Sequence, residues 1–403
     1  MGDFFQNGVI TTLHNLGNRP LEDLENDLRS WGESRPMALV IPALASEMDG
    51  EGLPGIVDVL SEVDFLDEII IGLDRADEAG FARARRFFDD VPTPHRILWN
   101  EGPRLRAVHE ELLARKLAPL ELGKGRNVWY CMGYFLASGR SDVLALHDAD
   151  IVTYSRSMLA RLLYPVASPT FGYAFCKGYY FRAGDDRLNG RVARLLVTPL
   201  VRALRQTMGP HPYLDYLDSF RYPLAGEFAM DADVVRGLRI PADWGLEVGV
   251  LSEVYRNYTA RRVCQVDIAE AYDHKHQEVG EEDPAKGLHR MAIDISKSMV
   301  RKLAISGEVF SPGVFRTLKA TYYRIALDMV DQYLHDAEMN GYTVDRHHEE
   351  QLVELFAQAI TTAGDDYLSR PMELPFMPSW TVVLDALPEI FEMLTDAVEA
   401  DNA

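Results

Sequence analysis

Residues 141–152 read Ser-Asp-Val-Leu-Ala-Leu-His-Asp-Ala-Asp-Ile-Val, an apolar run that closes on two aspartates one residue apart. A bounded apolar run of about four to eight residues is the pattern of a strand buried on both faces. Side chains alternate along a strand, so Asp148 and Asp150 leave its end on the same side. In an open parallel sheet the carboxyl ends of the strands are where ligands bind. Two carboxylates there suit one hard divalent cation, and such a cation commonly serves phosphates. An Asp-x-Asp triplet also arises by accident in an acidic chain, and Asp231-Ala232-Asp233 is a second copy. Only the first follows a buried-strand pattern, and that context singles it out.

Working outward, residues 36–152 alternate strand and helix signals. Met37-Ala38-Leu39-Val40-Ile41-Pro42, Glu68-Ile69-Ile70-Ile71-Gly72-Leu73 and His95-Arg96-Ile97-Leu98-Trp99 read as three further strands. Helical patterns fall at residues 55–63, 78–88, 105–117 and 128–138. Such alternation predicts an α/β fold, a Rossmann-like parallel sheet with helices on both faces. Residues 1–35 read as a helical lead-in, and 153–285 as a mixed half with aromatic strands and glycine turns. Residues 286–403 form a mostly helical C-terminal extension, with amphipathic helices at 288–305, 312–339, 347–362 and 384–398. Such faces serve packing or dimerisation, and no chemistry-bearing cluster stands out among them.

The chain has 403 residues, long for a single core, and 47% of them are apolar. No apolar stretch of about 18 residues occurs, so no membrane span is expected. The N-terminus lacks the basic-then-apolar order of a secretion signal. Cys131, Cys176 and Cys264 are odd in number and scattered among apolar neighbours, which predicts buried free thiols in a reducing cytoplasm. The net charge of −21 argues against nucleic acid and anionic membranes as partners.

A phosphate-bearing substrate would therefore need a local positive centre, and several segments offer one. Gly123-Lys124-Gly125-Arg126 opens a helix, where glycines allow close backbone approach and a lysine favours phosphate. It is not a Walker loop, because the earlier glycine and trailing Ser or Thr are absent. Cys176-Lys177-Gly178-Tyr179-Tyr180-Phe181-Arg182 places two cations among aromatics. Gly190-Arg191-Val192-Ala193-Arg194 offers two guanidiniums suited to phosphate or carboxylate. Pro223-Leu224-Ala225-Gly226-Glu227 is a tight turn with one carboxylate, and Gly245-Leu246-Glu247-Val248-Gly249 opens an apolar helix. Tyr272-Asp273-His274-Lys275-His276-Gln277 suits either a metal shell or an anion grip. Each alone is also what an ordinary surface turn looks like.

Taken in order, Val-Ile-Pro-Ala-Leu, Gly-Lys-Gly, Asp-Ala-Asp, Gly-Arg-Val, Pro-Leu-Ala-Gly-Glu, Gly-Leu-Glu-Val-Gly and the late His resemble the retaining glucosyl-3-phosphoglycerate synthases. The mannosyl-3-phosphoglycerate synthases are close relatives. The resemblance spans residues 37–277 and implies a GT-A glycosyltransferase fold. It implies a nucleotide-sugar donor (usually UDP-glucose), D-3-phosphoglycerate as acceptor, Mg2+ or Mn2+, and a homodimer. The product would be glucosyl-3-phosphoglycerate, precursor of the compatible solute glucosylglycerate. Residues 36–152 would then be the nucleotide-sugar half and 153–285 the half that binds acceptor and completes the metal site. By the resemblance, Pro42, Ala43, Leu44 and Glu47 hold the uridine end, with Lys124 near the donor. Asp150 and His274 ligate the metal, with Asp148 at the ribose or the metal's outer shell. Gly190 and Arg191 grip the acceptor, helped by Lys275 and His276. Leu224, Gly226 and Glu247 surround the transferring sugar.

There are departures from the family pattern. Ser46 replaces an expected acidic residue and is followed by an insertion to about residue 52. Leu73 follows Gly72 where an Asp-Ser pair is expected, with Asp74 next, so both are assigned to the donor side. Ala193 replaces a threonine, and His276 an asparagine. Rival readings fare worse. A dinucleotide-dependent dehydrogenase needs a Gly-x-Gly-x-x-Gly turn where Pro42-Ala43-Leu44 stands. A sugar nucleotidyltransferase wants a Gly-rich, Arg-bearing loop there. A catalytically silent dimeric scaffold would have no need of Asp148, Asp150 and His274 together.

Overall fold

The computed structural model describes residues 6, 8–119, 123–184, 187–242, 245–269, 272–273, 284–372 and 376–403. Among them the frame is an eight-stranded sheet with a two-stranded ribbon beside it. In chain order the strands are β1 (Thr11–Leu13), β2 (Met37–Leu44), β3 (Glu68–Asp74), β4 (His95–Trp99), β5 (Val143–Leu146) and β6 (Phe175–Tyr180). The ribbon is β7 (Ala183–Gly184) and β8 (Arg187–Leu188), and β9 (Phe228–Asp231) and β10 (Val263–Ala269) follow. The sheet runs β1-β10-β6-β9-β5-β2-β3-β4. All neighbours are parallel except β9, which lies antiparallel between β5 and β6.

The sheet is covered on both faces, which is why its strands are almost continuously apolar. Along β2, Ala38 and Val40 join one core with Leu144 and Leu146 of β5. Leu39 and Ile41 join the opposite core with Val143 and Ala145. The first six helices are α1 (Leu21–Gly32), α2 (Gly52–Leu60), α3 (Glu78–Phe87), α4 (Pro103–Ala114), α5 (Lys124–Ser138) and α6 (Arg156–Ala167). Of these, α4 and α5 line the first core, and α1, α2, α3 and α6 the second. The next four, α7 (Thr198–Met208), α8 (Pro212–Asp218), α9 (Ala232–Gly237) and α10 (Leu246–Asn257), extend the first core. The expected α/β architecture is what the chain forms.

The lead-in at residues 1–35 holds the expected helix, α1, but also β1, which pairs with β10 at the sheet edge. Three residues carry no usable periodicity, so only the partner strand reveals β1. The extension consists of α11 (Pro284–Ile305), α12 (Pro312–Asn340), α13 (Arg346–Ser369), α14 (Trp380–Ala386) and α15 (Ile390–Asn402). The single helix expected at 384–398 is thus two. Pro388 disfavours helical backbone at the residue before it, and Leu387 sits at φ −142° and ψ 81°. Trp380 of α14 stacks on Trp129 of α5 with ring centroids 4.2 Å apart. Its Nε1 donates to the Trp129 carbonyl at 3.0 Å, fastening the end of the chain to the sheet's helical cover.

Candidate active site

The exception in the sheet builds the site. Because β9 runs against its neighbours, its first residues lie beside the last residues of β5, with Phe228 opposite Leu146. The turn before β9 thereby meets the turn after β5. A β-carbon on Gly226 would stand 2.3 Å from Asp148 Oδ2, so only glycine allows this approach. On the other side, Asp150 packs against Gly52 at the start of α2, where a β-carbon would lie 2.7 Å from the Asp150 carbonyl carbon.

Lys124, the first residue of α5, places its Nζ 2.6 Å from Asp148 Oδ1 and 3.3 Å from Glu247 Oε1. Two carboxylates, one close along the chain and one more than a hundred residues away, therefore converge on one ammonium. Burial alone would lower the Lys124 pKa, but Asp148 and Glu247 outweigh it and hold the ammonium above its ordinary value. The Glu47 carboxylate lies in the same electrostatic field. Its Oε2 accepts the Leu44 N–H at 2.9 Å, and burial, helped by Asp150 and Asp148, pushes its pKa up to about 7.

The predicted donor residues are neighbours too. Pro42, Ala43 and Leu44 pair with Gly72, Leu73 and Asp74 across β2 and β3. Asp74 is buried, accepts from Asn100 Nδ2 at 2.6 Å, and lies 4.0 Å from an Arg126 nitrogen. Burial and then Glu101 raise its pKa to about 6.

Beneath the turn before β9 lies a charged network that the sequence motifs contain but to which no role was assigned. Lys177 of β6 is fully buried and its Nζ donates to the Ala225 carbonyl. Burial pushes its pKa down to about 8. Glu227 is also fully buried, accepting from Tyr180 Oη at 2.6 Å and Tyr272 Oη at 2.8 Å. The two phenol rings stack at 3.6 Å. Burial, with Asp148 adding to it, pushes the Glu227 pKa up to about 7. The Pro-Leu-Ala-Gly-Glu turn is therefore not the surface turn it resembles in isolation. The available signal was a lysine and a glutamate abutting apolar strand residues, which are rarely buried without partners.

Asp148 and Asp150 offer hard oxygen donors, and after burial their charges add to the rise in the Glu47 pKa, so a cation there would meet three neighbouring carboxylates. The residues fit a hard divalent ion in that sense. Among the described residues no three His, Cys, Asp or Glu side chains are grouped closely enough to hold it alone. His274, Lys275 and His276 lie outside the described residues. The residue before them, Asp273, donates its N–H to Thr153 Oγ1 at 3.1 Å and accepts from the Val152 N–H at 2.9 Å, beside the Asp150 turn.

Of the residues expected at the acceptor, Gly190 turns the chain at φ +72°, while Leu224, expected at the transferring sugar, is half-buried at the edge of the first core. Ala193 is buried at the head of the helical turn Ala193–Val197. Arg191 is 39% exposed, with its Nε 3.9 Å from Glu349 Oε1. The C-terminal extension, read as free of chemistry, thus supplies a carboxylate to the arginine motif. Cys131, Cys176 and Cys264 are free and buried as expected.

No family model matches the chain. Its full length is 44% identical to the glucosyl-3-phosphoglycerate synthase of Persephonella marina, covering 100% of both. That of Methanococcoides burtonii is 39% identical, over 99% of this chain and 98% of its own. The solved glucosyl-3-phosphoglycerate synthase of Mycobacterium tuberculosis with phosphoglyceric acid superimposes with TM-score 0.54 at 21% identity, covering 73% of this chain and 88% of that one. The same protein with Mn2+, uridine-diphosphate and glucosyl-3-phosphoglycerate gives 0.53 at 20% identity, covering 73% and 87%. At that identity the likeness speaks for the fold alone.

Proposed function

The chain belongs to the glucosyl-3-phosphoglycerate synthase family of GT-A glycosyltransferases, and from that premise we propose that it moves glucose from UDP-glucose to D-3-phosphoglycerate with Mg2+ or Mn2+ bound. The observation that carries this reading is the meeting of Asp148, Lys124 and Glu247 at one point beside Gly226. A fixed cation and two carboxylates, read as a metal ligand and a sugar ligand, would then meet a nucleotide sugar at the carboxyl edge of the sheet, and this supports the reading.

The donor's uridine would rest against the paired ends of β2 and β3, from Pro42, Ala43 and Leu44 to Leu73 and Asp74. Glu47 shapes that loop by holding the Leu44 N–H. Asp150, with His274 and Asp148, would hold the divalent ion. Bound there, the ion neutralises charge on the leaving diphosphate and so stabilises the departing group. Lys124 adds a fixed positive charge at the same place, aimed at charge that grows as the sugar bond breaks. Glu247 is pinned by Lys124 at 3.3 Å, which suits a ligand for sugar hydroxyls more than a nucleophile. Arg191 would orient the acceptor's phosphate. As in the retaining family the sequence resembles, the acceptor proton would pass to the departing diphosphate on the same face, giving retention.

The purified protein with Mg2+, UDP-glucose and D-3-phosphoglycerate should release UDP only when both substrates are present, and the product should keep the α-anomeric coupling in its proton spectrum. GDP-mannose is the comparison donor. Release no faster than donor hydrolysis with every donor tried would end this proposal.

A further inference from the structure

The segment between β7 and α7, which carries Gly190 and Arg191, is gripped from outside by the C-terminal extension. Among the described residues, contacts from α12, α13 and their connection hold it. The backbone of Arg187 pairs with that of Thr343, between α12 and α13. Tyr322 of α12 donates its hydroxyl to the Leu195 carbonyl at 2.6 Å. Tyr333 of α12 lies under the Arg194 guanidinium, 4.7 Å from ring centroid to carbon. Glu349, in the first turn of α13, accepts from Arg194 with both oxygens, at 2.9 and 3.2 Å.

Glu349 is 3% exposed, and a buried carboxylate is costly unless paired. Arg194 pairs it and also donates back into the same loop, Nε to the Asn189 carbonyl at 2.9 Å and Nη2, shared with Glu349, to the Leu188 carbonyl at 3.4 Å. Arg194 is thus committed to structure. Arg191 is different: its Nε stands 3.9 Å from the same Glu349 oxygen, while the side chain stays 39% exposed. Two guanidiniums share one carboxylate, which leaves a net positive charge facing outward from Arg191 and none wasted inside.

We propose that Glu349 is a positioning residue for the acceptor site, reaching from the C-terminal extension to hold the Gly190–Arg191 loop and aim Arg191 at the anionic acceptor. This rests on the reading of Arg191 as an acceptor ligand. The long tail is therefore part of the substrate site as well as packing. A guanidinium restrained before binding loses less freedom on gripping a phosphate, so the effect belongs to acceptor affinity and not to the donor.

Calorimetric binding of D-3-phosphoglycerate and steady-state kinetics on the full chain test this. Glu349→Gln should raise the acceptor Kd and KM by about tenfold, the scale of one charge-assisted hydrogen bond, with UDP-glucose KM unchanged. Glu349→Asp should recover part of that loss. A charge-free pair, Arg194→Leu with Glu349→Leu, guards against mere unfolding, since apolar replacement of a buried pair is often neutral or stabilising. It should restore the melting temperature without restoring acceptor affinity. Unchanged acceptor affinity in a folded Glu349→Gln, equal effects on both substrates, or full recovery in the apolar pair overturns the proposal. So does a wild type that binds no D-3-phosphoglycerate. Binding without turnover by the wild type would sink the proposed reaction but would leave this test intact.

Discussion

Two single residues sharpen what the site does. Lys124 is held by Asp148 and Glu247 and placed where leaving-group charge would develop. Lys124→Met should keep the fold and lower kcat by roughly a hundredfold to a thousandfold, the usual cost of removing one preorganised charge donor. A loss below fivefold in a steady-state assay would remove Lys124 from the chemistry. His147 is a different case. It is fully buried, neither ring nitrogen has a hydrogen-bond partner among the described residues, and the ring meets Tyr154 edge-on at 5.3 Å. Burial pushes its pKa down to about 3. The folded state therefore holds His147 neutral while the unfolded chain takes up a proton below about pH 6.5. Stability from this group is present above that pH and lost on acidification towards pH 3, by up to about 1.4 kcal/mol per pH unit. His147→Phe should flatten the loss. Melting curves of the two proteins at pH 7, 6 and 5 decide it, and parallel curves would refute the assignment. Glu47 and Glu227 act in the opposite sense. Their raised pKa values remove stability as pH rises from about 4.5 towards 7, which is why the variant must be compared with the wild type at each pH.

At the scale of elements, the reversed strand β9 matters most. It brings Gly226 against Asp148, and a methyl group there must displace a carboxylate that also holds Lys124. Gly226→Ala should fold, keep its melting temperature within a few degrees, and lose at least roughly tenfold in turnover through misplacement of about 1 Å. Unchanged kinetics would show that Asp148 can retreat without consequence. The second informative element is α14, whose Trp380 ring is buried on Trp129. Trp380→Ala should cost about 3–5 kcal/mol, the range for large aromatic deletions in a core. Chemical denaturation measures it, and a loss under about 1 kcal/mol would mean that the end of the chain packs only loosely.

For the whole molecule, the net charge of −21 and the carboxylates around Asp148 make cation binding a stability question as well as a catalytic one. Chelator treatment should abolish turnover, and Mg2+ or Mn2+ should restore it. The ion at a concentration about a hundredfold above its Kd should stabilise the fold by about 2.7 kcal/mol. Thermal melts with and without the ion check this, and Asp150→Ala should erase the difference. An equal metal-induced shift in Asp150→Ala would place the ion elsewhere. No helix among the described residues is long and apolar enough to cross a membrane.

Much of this was legible in the chain because it depends on local periodicity. The apolar runs of β2, β3 and β5, the helix opening at Lys124, and the Asp-Ala-Asp turn follow from which neighbours along the sequence are apolar or charged. The buried thiols and the parallel half of the sheet follow from the same reading. Other features needed the third dimension, because they are contacts between segments far apart in sequence whose own patterns are silent. A three-residue β1, the antiparallel insertion of β9, the burial of Lys177 and Glu227, and the arrival of Glu349 at Arg191 and Arg194 are of this kind. Periodicity tells each segment which face to bury, whereas the partner it buries that face against is chosen only when the entire chain closes.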